Sequence, residues 1–114
     1  MYLASTDLAI VRCILAEHLP PDITVMAYGS RAHGRNLKPF SYLDLVLAAH
    51  GRPVKFALLG RLRQAFEDSD LPFRVDVIDL ERCDPSFRAL IAGDLVHLSS
   101  RSLADFGRDR VARA

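Results

Sequence analysis

Ile23-Thr24-Val25-Met26-Ala27-Tyr28-Gly29-Ser30-Arg31-Ala32-His33-Gly34 is the segment from which the chain is best read. Its first six residues are mostly apolar or β-branched, the composition of a short buried strand. The run halts at Gly29, and small residues at a strand's end predict a tight turn into a short helix. A glycine in that place lets backbone approach a phosphate, and the helix N-terminus behind it offers free N–H groups and the positive end of a dipole. The Ser30 hydroxyl adds a further donor. Taken alone the signal is weak, since Gly-Ser is common in turns.

Upstream, the apolar spacing of Leu8, Val11, Ile14, Leu15 and Leu19 predicts a helix over Asp7 to Leu19. Ser5 or Thr6 is placed to cap it, and Pro20-Pro21 ends it. Downstream, Asn36 to Ser41 reads as a loop, and Leu43 to Ala49 as a second buried strand closed by Gly51 and Pro53. Val54 to Phe66 has the periodicity of an amphipathic helix. Asp68 to Pro72 turns the chain into a third strand, Phe73 to Ile78. Pro85 in a first turn starts a last helix through Ile91, and Leu95, Val96 and Leu98 form a short apolar stretch.

With 114 residues the chain fits one domain, 1–114. Fifteen basic residues against 14 acidic leave a net charge of +1, which gives no electrostatic reason to expect nucleic-acid binding. The tail over 99–114 is mildly basic, with Arg101, Arg108, Arg110 and Arg113 against Asp105 and Asp109, and reads as a solvated terminus. Cys13 and Cys83 stand apart without a Cys-x-x-Cys pair or a Cys/His cluster, so reduced thiols are expected and a zinc site is not. No apolar run is long enough to span a bilayer, and no basic segment precedes the first apolar stretch as in a signal peptide. A cytoplasmic protein is expected.

Asp44, flanked by Leu43 and Leu45, and Asp76, between Val75 and Val77, put acidic groups inside two apolar strands. Strand alternation sends each carboxylate to the face opposite its neighbours. The bland alternative is a pair of aspartates on an open, solvated sheet face. If the strands are adjacent, the two carboxylates converge and repel unless a cation lies between them. Mg²⁺ takes such hard oxygen ligands together with phosphate oxygens. Combined with Gly29-Ser30, the pair describes a phosphate cradle beside a metal site.

The segments Tyr28 to Gly34, Ser41-Tyr42-Leu43-Asp44-Leu45 and Val75-Asp76-Val77-Ile78-Asp79-Leu80, in that order, resemble the minimal nucleotidyltransferase family within the DNA polymerase β-like superfamily. The resemblance covers 23–98, including Ile91 to Leu98 as the family's closing helix and strand. It implies an α/β (α+β) fold, a small mixed central sheet flanked by helices. It also implies that Gly29 and Ser30, with Arg31 beside them, contact the triphosphate of ATP. Asp44 and Asp76 are then catalytic metal ligands for Mg²⁺. The family's first acid should stand at position 42, where this chain has Tyr42, a bulkier and neutral phenol.

The resemblance further implies an antitoxin that adenylylates a tyrosine of a partner HEPN-domain toxin, with transfer impaired by Tyr42. The alternative is a catalytically inactive nucleotide-binding module that neutralises its partner by contact. Transfer to a small molecule is a weaker third reading, because no second domain is evident.

Overall fold

The computed structural model describes residues 1–98; the tail read over 99–114 lies outside the described residues. Its centre is one mixed sheet of β1 (Thr24–Tyr28), β2 (Leu43–Ala48), β3 (Val75–Asp79) and β4 (Val96–His97), in the order β3-β2-β1-β4. β1 runs antiparallel to β2 and β4, and β2 runs parallel to β3. A parallel pair needs a crossover, and α3 (Phe56–Glu67) supplies it. The other helices are α1 (Ser5–His18), the short α2 (Ser30–His33) and α4 (Pro85–Ile91).

Leu43, Leu45 and Leu47 of β2 are all fully buried. They join Val25, Ala27 and Val77 of the sheet, Val11 and Leu15 of α1, and Leu59, Leu62 and Phe66 of α3 in one core. Burying each leucine contributes about 2 kcal/mol of transfer free energy, so this face fixes the register of β2. Alternation then sends Asp44 to the opposite face. The apolar packing on one side thus determines where the acidic chemistry stands on the other.

Several element ends differ from the sequence expectation, each for a local reason. Ser5 and Thr6 lie inside α1 and do not cap it; Ala4 is the N-cap residue, in extended conformation and without a side-chain cap. β3 begins at Val75, because the Phe73 ring instead packs against the guanidinium of Arg31, 4.0 Å from its centroid. α4 matches its expected span, with Pro85 in its first turn and the Asp84 carboxylate accepting from the Ser86 N–H. At the outer edge of the sheet, the guanidinium of Arg63 on α3 donates to the Val77 carbonyl from Nε at 3.1 Å and from a terminal nitrogen at 2.6 Å.

Asp79 ends β3 and is 3% exposed. One oxygen accepts from the Glu81 N–H at 3.1 Å, capping the 3-10 turn Leu80–Arg82. The other accepts from the Val54 N–H at 2.7 Å and from Arg82 at 2.6 Å. A buried carboxylate with this many donors ties the entry of α3 to the end of β3.

Candidate active site

Asp44 and Asp76 are direct register partners in the parallel β2–β3 pair, so both carboxylates stand on one face of the sheet. On the other side of β2, Tyr28 pairs with Asp44, which brings the end of β1 and the turn behind it to the same place. Gly29 has φ +80°, a region that favours glycine, and a Cβ built there would lie 2.7 Å from Asp44 Oδ2. A side chain at position 29 would therefore collide with the carboxylate. Ser30 follows as the first residue of α2, where the amide has no intrahelical carbonyl to bond.

The electrostatics fit a cation. Burial, and then the charge of Asp76, push the Asp44 carboxyl up from 3.8 to about 6. Tyr28 is pushed up to about 12, chiefly by burial and then by the charges of Asp44 and Asp76. Its ring packs edge-on against Phe87, 5.9 Å between centroids. Two hard, mutually repelling oxygen donors beside a phosphate-accessible glycine suit one Mg²⁺ completed by phosphate oxygens. Among the described residues no group of three or more His, Cys, Asp or Glu side chains is gathered for a metal.

Tyr42 lies just ahead of β2 and is 49% exposed. Its ring lines a groove of about 650 Å³ along β3, together with Phe40, Arg63, Phe73, Arg74 and Asp76. Leu43 beside it points into the core, as strand alternation requires.

Arg31, expected beside the triphosphate, has its guanidinium on protein partners. It is 7% exposed, with Nε donating to the Ser41 carbonyl at 2.7 Å and its terminal nitrogens to Pro39 and Tyr2 at 3.0 and 3.1 Å. A guanidinium committed to three backbone carbonyls and an aromatic face is a clamp on the loop before β2. His33 is half-buried and hydrogen-bonds the Asp94 carbonyl at 2.6 Å. Tyr28 went unnoticed as part of the site, although pairing of the two strands flanking the turn would have set it against Asp44.

A four-stranded mixed sheet with strand aspartates beside a Gly-Ser turn defines the minimal nucleotidyltransferase class. Two solved structures share the fold over 94% of this chain and 90% of theirs. One is a toxin–antitoxin structure with AMP-PNP (TM-score 0.62, 16% identity), the other a mutant of the MntA–HpeT toxin–antitoxin pair (TM-score 0.61, 15% identity). No protein-family model matches the chain. The probable protein adenylyltransferase MntA of Haemophilus influenzae is 45% identical over 87 residues, covering 76% of this chain and 74% of that protein. The chain belongs to the MntA family of protein adenylyltransferases.

Proposed function

We propose that the chain is a cytoplasmic antitoxin that transfers AMP from ATP to a tyrosine of a partner HEPN-domain toxin, in a Mg²⁺-dependent reaction slowed by Tyr42. The observation that carries this reading is the register pairing of Asp44 with Asp76 beside Gly29. The acceptor oxygen bonds to the α-phosphorus, the bridging bond to the β-phosphate breaks, and pyrophosphate leaves. Asp44 and Asp76 would hold Mg²⁺, which when bound offsets the charge of the triphosphate and of the leaving group. Gly29 leaves room for the phosphate, and the Ser30 amide and hydroxyl donate to its oxygens. Tyr28 stays protonated well above neutral pH and adds no charge beside the carboxylates.

The test is α-labelled ATP and Mg²⁺ with the full chain and its partner toxin. Label on a partner tyrosine, lost in Asp44→Asn and in Asp76→Asn, is the expected result. A stable complex that inhibits the toxin without any transfer would overturn the enzyme reading in favour of a contact inhibitor.

A further inference from the structure

Exposed apolar side chains scattered singly carry no message, but a cluster of them does. Leu37, Phe40 and Tyr42 all come from the loop ahead of β2, and Phe40 is 80% exposed. Phe40 and Tyr42 also line the groove of about 650 Å³, whose other apolar lining includes Phe66, Leu71 and Phe73. The loop that carries them is fastened. Arg31 donates to the Pro39 and Ser41 carbonyls, and the Lys38 N–H donates to the Ser41 hydroxyl at 2.9 Å. The same guanidinium lies over the Phe73 ring, so one side chain ties the loop to the groove. Rings held out in this way lose little freedom when a partner covers them.

We propose that this groove and its aromatic rim are the docking surface for the acceptor protein, which seats the apolar face of a helix against Phe40 and Phe73. The inference rests on the proposed function, in which the acceptor belongs to a second protein. Arg63 and Arg74 stand against Glu67 and Asp76 around the groove, so its charges balance and what it offers is apolar contact. Arg63 already occupies the Val77 carbonyl, so an occupant is held by its side chains rather than by backbone pairing with β3. Asp76 belongs both to the groove and to the carboxylate pair with Asp44, so a protein seated there lies alongside the pair. A second copy in the same place would cover that approach and shut the acceptor out. Docking of this kind needs neither ATP nor a cation, and the exposed ring of Phe40 is its anchor.

The experiment places photoreactive p-benzoylphenylalanine at Phe40 of the full chain and irradiates it with purified partner toxin in chelator, without ATP. A cross-link to a helix of the toxin is expected. In the same buffer Phe40→Ser should weaken toxin binding by about tenfold or more. Leu90→Ser, which removes an exposed side chain of α4 outside the groove, should bind within about twofold of the parent. A cross-link within the chain, to a second copy, or to a segment of the toxin that is not helical would overturn the inference. Parental toxin affinity in Phe40→Ser, with AMP still transferred to the toxin, would overturn it while leaving the proposed function standing. Docking that depends on Phe40 in a chain that transfers no AMP would support the surface and remove the enzyme reading.

Discussion

On the proposed reading Tyr42 stands where a carboxylate ligand would, and one substitution tests that. Tyr42→Asp should raise Mg²⁺-dependent transfer to the partner on the order of a hundredfold, since a restored ligand recovers a few kcal/mol of transition-state stabilisation. Steady-state transfer of labelled AMP checks this, and equal rates would show that position 42 holds no metal ligand. Asp44 makes a separate prediction about pH. Its carboxyl is raised from 3.8 to about 6 by burial and by Asp76, so the folded chain binds that proton more tightly than the unfolded chain does. The contribution is fully present below pH 3.8 and lost as pH rises through about 6. Metal-free protein should therefore lose melting temperature across that window, and Asp44→Asn should flatten the loss. Added Mg²⁺ should raise the melting temperature chiefly above pH 6. Melting curves in chelator and in Mg²⁺ would show whether the two ends of the window behave alike, which would refute the coupling.

At the scale of elements, what was legible in the sequence is what is local. Gly29 ending an apolar run, Asp44 between two leucines and Pro85 opening a helix each carry their meaning within a few residues. The bond of Asp79 to the Val54 amide spans 25 positions and left no sequence signal. The contacts of Arg31 were hidden for the same reason: its carbonyl partners belong to Tyr2, Pro39 and Ser41, and nothing in a linear pattern assembles them. The groove was likewise invisible, being made of the loop before β2, one face of α3 and the approach to β3. The clamp has its own test. Arg31→Ala removes three hydrogen bonds to loop carbonyls and the contact with the Phe73 ring, and should destabilise the fold by about 2–4 kcal/mol. Arg31→Lys should recover only part of that, because an ammonium cannot match a fork aimed at three carbonyls and an aromatic ring. Urea unfolding of the two variants separates this from a phosphate contact, whose loss would spare stability and weaken ATP binding alone.

Across the whole molecule the sheet divides labour between its faces. One packs α1 and α3 and supplies the core, while the other carries Asp44, Asp76 and Tyr28. No helix among the described residues is long and apolar enough to cross a membrane. The sheet also ends at β3, a strand with one side turned away from its neighbours. The carbonyl of Val77 on that side already has Arg63 against it, with both donor contacts to the same oxygen. A guanidinium standing on an edge strand is a steric and electrostatic stop: another strand cannot dock without displacing a charged group from its carbonyl. Arg63→Ala would free the Val77 carbonyl on the edge of β3, flanked by Phe66 and Phe73, and open that edge to the same segment of a second molecule. Concentrated Arg63→Ala protein should accumulate thioflavin-positive aggregates severalfold faster than the parent at matched temperature. Arg63→Lys should lie between them, so that this one side chain sets how crowded a solution the sheet can tolerate before its molecules begin to join.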